Sequence, residues 1–312
     1  MKLTGKSKYL VLLLLILGLS FIYFSVASNI GDIKGYKWEI PWYDLIICIG
    51  FLLAMQMVKS LVYLFLLDSE LTHKYGVFGV IMSYSVSQVA RYIPGKVFGI
   101  ATQSMYLSGQ FNVRGVWEAN LNQYVLTNYN SVAILSAIFF SFYFDNPLIF
   151  ICLFPLSLTT TILIKHNLVG RIVRFIIKRL KIKTETNEYK LKQVNKPWLV
   201  VHLLNVEWLF YMLCWLFLKP MDFTFTQAIL FGTSYALASL LATLVLVMPS
   251  GIVVREAAFL VIGGYFGFSN EVLIIYSLVS RVAFTIADLL FWMICSFFIW
   301  IKTLRLNEKQ RK

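Results

Sequence analysis

Charged residues are scarce in this 312-residue chain: Asp, Glu, Lys and Arg together account for 14%, whereas apolar residues account for 59%. Soluble domains carry about 25% charged residues, so this composition excludes an ordinary water-soluble globular protein. Strand-like alternation with regularly spaced turns is also missing, which argues against an outer-membrane barrel. Because helices are the remaining way to satisfy backbone polar groups in lipid, the sequence predicts an all-α polytopic integral membrane protein.

Residues that perform chemistry are equally scarce. The cysteines lie in apolar runs without metal-ligand spacing, at Cys48, Cys152, Cys214 and Cys295. The histidines are scattered, at His73, His166 and His202. The sequence contains no Walker loop, Ser-His-Asp set or pair of catalytic carboxylates. We therefore expect packing cysteines without a structural disulfide, no metal, no cofactor and no catalytic residue, and enzymatic activity is not indicated.

What the sequence has in abundance is long apolar segments, many of them longer than the roughly 18 residues needed to cross a bilayer. They cover residues 10–29, 41–67, 76–108, 119–144, 147–164, 198–218, 224–267 and 272–301. Lysines precede the first segment, and Ser25 with Ala27 resembles a cleavage site, so a cleavable signal is one interpretation. The length of the segment favours an uncleaved first span.

Two segments, 76–108 and 224–267, are too long for single spans, and each contains a break. The first break is Tyr92-Ile93-Pro94-Gly95-Lys96 and the second is Met248-Pro249-Ser250-Gly251. Proline removes a helical donor and glycine adds backbone freedom, so both helices should end at these breaks. We interpret the two segments as helix–break–helix hairpins. The second is also long enough to form two true spans.

Basic residues predict how the segments cross the membrane. The largest basic block, residues 165–197, and the C-terminal tail should both be cytoplasmic, as should the N-terminus. This requires each broken segment to cross an even number of times. It places 20 of the 28 Lys and Arg residues in the cytoplasm, so the net charge of +13 is explained as a topology signal and not as a nucleic-acid surface.

The hairpins then enter from opposite faces, which suggests an inverted repeat. The domain organisation is a single membrane domain over residues 1–312. Residues 1–164 form a first half with hairpin 76–108, 165–197 a basic cytoplasmic linker, and 198–312 a second half with hairpin 224–267.

The two breaks resemble the motifs of a known family. The stretch Arg91 to Gly99 is similar to the Arg-x-x-Pro-Gly-x-x-x-Gly element of the lysylphosphatidylglycerol synthase transmembrane-region family, which is also called flippase-like. Pro249 to Glu256 is similar to its Pro-Gly-Gly-x-Gly-x-x-Glu element, with Ser250 and Val253 at two of the glycine positions. The resemblance is to the N-terminal membrane half of the multiple peptide resistance factor, without its aminoacyl-transferase domain. It implies translocation of, or assistance to, an amphipathic lipid with a phosphate-containing headgroup, and no aminoacylation.

A broken helix leaves backbone amides and a positive helix dipole end directed at the break, which favours an anion. The candidate phosphate-binding residues near the two breaks are Arg91, Pro94, Gly95, Lys96, Pro249, Gly251, Arg255 and Glu256. Glu256 is adjacent to Arg255 and is expected to cap or neutralise it. The alternative is that Arg91 and Lys96 snorkel to an interface and the prolines set only the helix shape.

Four further charged residues lie within apolar segments: Lys59, Glu207, Arg281 and Asp288. An isolated charge in a membrane helix costs at least about 2.5–3.5 kcal/mol, so such residues pair or face a wet cavity. One interpretation is a structural ion pair, for instance Arg281 with Glu207 or with Asp288. The other is a hydrated cavity or proton relay.

These observations favour a multi-pass plasma-membrane protein, with both termini cytoplasmic, that translocates a phospholipid or a polyprenyl-phosphate-linked sugar. The rival hypotheses are a non-transporting partner of a membrane glycosyltransferase in envelope glycan assembly, and an unrecognised lipid-modifying enzyme. The expected partners are membrane lipids and one of these enzymes, with no nucleic acid. The oligomeric state is left open.

The topology is testable with single cysteines in a background that lacks the native four. Lys183→Cys and Asn307→Cys should be protected from an impermeant thiol reagent in intact cells, whereas Lys34→Cys should be labelled, because basic segments are retained inside. Labelling of position 183 from outside would refute the even number of crossings.

Overall fold

A computed structural model describes residues 40–67, 69–90, 97–108, 114–165, 171, 196–244 and 254–311. Throughout these ranges the regular secondary structure is helical, and no strand occurs in them. The predicted all-α fold is therefore confirmed. The predicted first span, 10–29, most of the linker 165–197 and both breaks lie outside the described residues.

The described residues form nine helices, numbered in chain order. They are α1 (Trp42–Leu66), α2 (Ser69–Ala90), α3 (Val97–Ser108), α4 (Arg114–Tyr143), α5 (Pro147–Lys165), α6 (Pro197–Phe217), α7 (Phe225–Leu244), α8 (Val254–Tyr265) and α9 (Asn270–Arg311). In the middle of α5, Phe154–Thr159 tightens to a 3₁₀ helix. Pro155 explains this local change, because it lacks the amide that would continue the α-helical hydrogen bonds.

Six of these helices have the length and apolar composition needed to cross a membrane. They are α1, α4, α5, α6, α7 and α9, and their apolar stretches have mean hydropathies between 1.4 and 2.2. Each of them coincides with a predicted membrane segment or, for α7, with the first arm of segment 224–267. The protein is thus a multi-pass membrane protein.

The remaining helices belong to two helix–break–helix hairpins. In the first, α2 (22 residues) packs against α3 (12 residues), and in the second, α7 (20 residues) packs against α8 (12 residues). A 12-residue helix is only about 18 Å long, so neither α3 nor α8 alone can cross a hydrocarbon core of about 30 Å. For the second hairpin, this length favours a re-entrant arm over a second complete span.

Glycines mark where the hairpin helices bend and end. Gly76 interrupts α2 with φ +70° and ψ 164°, at the residue where the predicted segment 76–108 begins. Gly267 follows the end of α8 with φ +83°, and the amide of Phe268 donates to the carbonyl of Gly263 at 3.1 Å. This is a glycine-dependent helix terminus, which explains why α8 is short.

The chain divides into two compact units, and each contains one hairpin. Among the described residues, unit 1 consists of 40–51, 211–244 and 254–286, and unit 2 of 52–67, 69–90, 97–108, 114–165, 171, 196–210 and 287–311. The hairpin α7/α8 belongs to unit 1 and α2/α3 to unit 2. The division into linear halves at 165–197 stays a prediction.

Unit 1 is built on an aromatic core. The ring of Phe231 lies 5.1–5.5 Å, centroid to centroid, from five others: Trp215, Phe223, Phe259, Phe268 and Tyr276. All five contacts are edge-on, with interplanar angles between 69° and 88°, and their centroid distances are in the range typical of favourable aromatic pairs. This core holds α7, α8 and α9 against the end of α6.

Unit 2 combines apolar packing with hydrogen bonds between helices. Tyr63 and Tyr84 pack ring to ring at 5.6 Å in its apolar core. The amide of Asn120 donates to Gln103 at 2.9 Å, and that of Asn130 donates to Asn205 at 3.2 Å. Hydrogen bonds of this kind contribute about 0.6 kcal/mol each in a membrane, so they align helices more than they stabilise them.

The tight contact between Gly232 of α7 and Trp215 of α6 provides a packing test. A Cβ at position 232 would lie 2.7 Å from Cγ of the buried Trp215, so Gly232→Ala should destabilise the protein by about 1–3 kcal/mol. The control Gly50→Ala, whose Cβ meets no atom within 4 Å, should be neutral or slightly stabilising. Thermal unfolding in detergent measures the stability of both variants. An equal loss of stability in Gly232→Ala and Gly50→Ala would contradict the tight contact between Gly232 and Trp215.

Candidate functional site

The sequence-predicted phosphate site is only partly covered by the structure. Arg91, Pro94, Gly95, Lys96, Pro249 and Gly251 lie outside the described residues. Arg255 and Glu256 are described, as the second and third residues of α8 immediately after the second break. The first turn of α8 is therefore the part of the predicted site that the structure describes.

Glu256 forms ion pairs with two guanidinium groups and accepts a hydrogen bond from that of Arg255. Its Oε1 lies 3.3 Å from Nη2 of Arg255 and 2.9 Å from Nη2 of Arg281, which comes from α9. The Glu256 side chain is only 6% exposed, whereas those of Arg255 and Arg281 are 18% and 30% exposed. A carboxylate in the first turn of α8 is also favoured by the helix dipole. We call Arg255, Glu256 and Arg281 the arginine–glutamate cluster.

An aromatic platform supports the cluster. The guanidinium carbon of Arg255 lies 5.1 Å from the ring centroid of Tyr235 on α7, within the range of a cation–π contact. Tyr235 in turn stacks on Phe284 of α9, with centroids 6.1 Å apart and planes 17° apart. Three helices, α7, α8 and α9, therefore converge on the cluster. Sequence reasoning did not assign Tyr235 to the site, because an aromatic residue in an apolar run is normally core.

The cluster has more positive than negative charge. Two guanidinium groups share one carboxylate, which leaves a formal charge of one positive unit among these three side chains. The neighbouring second break, Met248 to Gly251, contains no acidic residue, and neither does the first break, Tyr92 to Lys96. A positive site at a helix N-terminus is suited to an anion, and guanidinium groups bind phosphate or carboxylate through two parallel hydrogen bonds.

Arg281 was expected to pair with Glu207 or Asp288, and this expectation was wrong. Its partner is Glu256. Arg281 and Asp288 share a helical face because seven residues separate them. Glu256 lies on another helix at no regular spacing from Arg281, and only the packing of α8 against α9 brings the two together.

The other intramembrane charges also have polar partners, all in unit 2. Nζ of Lys59 lies 3.5 Å from Oε1 of Glu207, linking α1 to α6. The side-chain amide of Gln56 donates to Oδ1 of the fully buried Asp288. Sequence reasoning missed Gln56, although its position one turn before Lys59 on α1 was a usable signal. These contacts favour the structural ion-pair interpretation for Lys59 and Glu207.

The four cysteines and most of the potential metal ligands lie in the part of the chain that the structure describes. Among those residues, no group of three or more His, Cys, Asp and Glu side chains is placed to hold a metal ion. All four cysteines are free thiols. Cys48 and Cys214 are buried and Cys295 is half-buried, in keeping with packing roles, whereas Cys152 is exposed.

Comparison with known proteins does not place the chain in a family. No protein family, no curated protein and no solved structure matches it. The resemblance to the flippase-like family therefore stays a prediction that depends on the residues of the two breaks and on Arg255 and Glu256.

The Lys59–Glu207 pair can be tested for a structural role. Glu207→Leu should destabilise the protein by about 3–5 kcal/mol, because Lys59 is left without its carboxylate. The double variant Lys59→Met with Glu207→Leu should recover most of that loss, because apolar pairs of similar volume replace buried ion pairs well. Thermal unfolding measures both variants. A double variant as unstable as the single one would show that Glu207 acts other than through Lys59.

Proposed function

We propose that this protein is a flippase-like membrane protein that translocates, or assists the translocation of, a phosphate-bearing lipid across the plasma membrane. Its cargo is a phospholipid or a polyprenyl-phosphate-linked sugar. The single observation that carries the proposal is the arginine–glutamate cluster, in which Glu256 is shared by Arg255 and Arg281 beside the second break.

The charge of the cluster fits a phosphate group. In the lipid-free state Glu256 partly neutralises the two guanidinium groups and so lowers the cost of holding them within a membrane protein. A phosphodiester brings one negative charge, and the sum of two guanidinium groups, one carboxylate and one phosphodiester is zero. A neutral complex is the form that is least costly to move through a low-dielectric region.

The geometry also allows exchange of partners. Arg281 is the more exposed of the two arginines, so its guanidinium is the one that a headgroup reaches first. It can turn from Glu256 to the phosphate, while Arg255 remains between Glu256 and the Tyr235 ring. The first-turn amides of α8 add donors on the same side. Lipid binding and release thus require rotation of the Arg281 side chain only. Glu256 keeps Arg255 as its partner while Arg281 contacts the phosphate.

The architecture is consistent with this role. Each unit contains a hairpin of one long and one 12-residue helix, and short helices that end within the membrane are the elements from which transporters build ion and substrate sites. The two hairpins are proposed to form an inverted repeat, with both termini of the chain in the cytoplasm.

Reconstitution into liposomes with a headgroup-labelled phospholipid tests the proposal, with an impermeant quencher reporting translocation. Arg281→Gln should slow translocation by about 10- to 100-fold, the equivalent of one charge-assisted hydrogen bond of 1.5–3 kcal/mol. The translocation rate of Arg281→Lys should lie between those of the parent and Arg281→Gln. Lysine keeps the positive charge but cannot make the planar two-point contact of a guanidinium group. The control Lys74→Gln removes an exposed cation and should leave the rate unchanged.

Two results would contradict the proposal. Equal rates for the parent and Arg281→Gln at matched incorporation would exclude the cluster from transport. A parent that moves no lipid but is retained by a membrane glycosyltransferase would instead support the non-transporting partner hypothesis.

A further inference from the structure

Two cysteines from distant parts of the chain meet inside unit 1. Sγ of Cys48 on α1 and Sγ of Cys214 on α6 are 2.8 Å apart, although 166 residues separate them in sequence. Both residues have 0% exposure. From this juxtaposition we propose that Cys48 and Cys214 form a reversible disulfide that joins α1 to α6.

The contact is set by helix packing and not by one side-chain conformation. Phe51, one turn after Cys48, packs against Phe217, one turn after Cys214, with ring centroids 5.7 Å apart. The two helices therefore touch at a second point beside the cysteine pair. Since a disulfide has a sulfur–sulfur bond of about 2.05 Å, bond formation requires the two thiols to approach by less than about 1 Å.

The predicted topology places the pair on the side of the membrane where disulfides persist. Cys48 lies six residues after the start of α1 at Trp42, and Cys214 lies three residues before the end of α6 at Phe217. Both of these helix ends face the exterior in that topology, so the pair lies within about 10 Å of the outer helix ends. Extracytoplasmic compartments are oxidising, whereas the cytoplasm keeps thiols reduced.

The chemistry is a two-electron thiol–disulfide exchange with an oxidising disulfide donor. The thiolate of one cysteine attacks the donor disulfide, forms a mixed disulfide and releases one donor thiolate. The second cysteine then attacks the mixed bond, which forms the Cys48–Cys214 bond and releases the second donor thiolate. The two protein protons pass to the released thiolates. Because the packed site excludes a bulky protein donor, exchange with such a donor takes place while α1 and α6 assemble, whereas a small membrane-permeable oxidant reaches the pair in the folded protein.

The disulfide has a definite structural consequence. α6 leads directly into the hairpin α7/α8 that carries the arginine–glutamate cluster, and Trp215, the residue after Cys214, belongs to the aromatic core beneath that hairpin. A covalent link to α1 therefore anchors the base of the hairpin. The inference concerns the assembly of unit 1 and is independent of the proposed lipid transport.

The test counts alkylatable thiols in a Cys152→Ser, Cys295→Ser variant, in which only the pair remains. Membranes that contain the full-length protein are treated with diamide, a membrane-permeable oxidant that accepts two electrons and two protons from a dithiol. The protein is then denatured with N-ethylmaleimide, and its intact mass is measured. We expect no maleimide after oxidation and two after reduction with a phosphine.

A relocated thiol serves as the matched control. In this control, Cys214→Ser is combined with Leu213→Cys. The thiol keeps its depth in the membrane but is turned by about 100° around α6, away from Cys48. Both thiols of the control should therefore still react with N-ethylmaleimide after diamide treatment. The proposal would be overturned if Cys48 and Cys214 still took up two maleimides after diamide treatment. It would also be overturned if the relocated variant lost its two reactive thiols to the same extent. The thiol count of the Cys152→Ser, Cys295→Ser variant involves no substitution at position 48 or 214. A folding defect in the relocated-thiol control therefore does not affect that count.

Discussion

The structure depends on one constraint: within a bilayer, polar backbone and side-chain groups must find their partners inside the protein. This requirement explains why the described residues form helices and turns only. It also explains why Glu256, Glu207 and Asp288 each contact a polar partner from another helix. Charged side chains in membrane helices are tolerated where the surrounding protein supplies such partners.

The two units meet this constraint in different ways. Unit 1 packs aromatic rings around Phe231 and places Arg255, Glu256 and Arg281 in one cluster at the start of α8. Unit 2 uses dispersed contacts, with an ion pair at Lys59 and amide hydrogen bonds such as that between Asn130 and Asn205. Dispersed contacts align helices without creating excess charge. A concentrated cluster with more cations than anions is instead a place where an anionic ligand lowers the energy of the protein.

In the proposed lipid-binding role, Glu256 is central to that cluster because its charge serves both the empty and the lipid-bound state. Without it, the two guanidinium groups would lose the carboxylate that they share, and their like charges would repel. With two acids in its place, a phosphate would find no excess positive charge. One buried carboxylate between two arginines is the arrangement that tolerates both the empty and the occupied state. The Tyr235 ring below Arg255 holds one arginine in position and leaves the other to exchange.

The sequence by itself determined the membrane class, the positions of the spans and the existence of two hairpins, because each follows from local composition and from proline and glycine positions. The helix ends at Tyr265 and Leu66 fall within a few residues of the predicted segment ends for this reason. The contact partners of individual side chains did not follow from the local sequence. Arg281 pairs with Glu256, and Cys48 meets Cys214, through contacts between helices that are distant in sequence. Hydropathy identifies a helix but does not say which of its faces meets which neighbour. Only tertiary packing decided those contacts, because side-chain shape and van der Waals fit, which set helix neighbours in a membrane, leave no local pattern in the sequence.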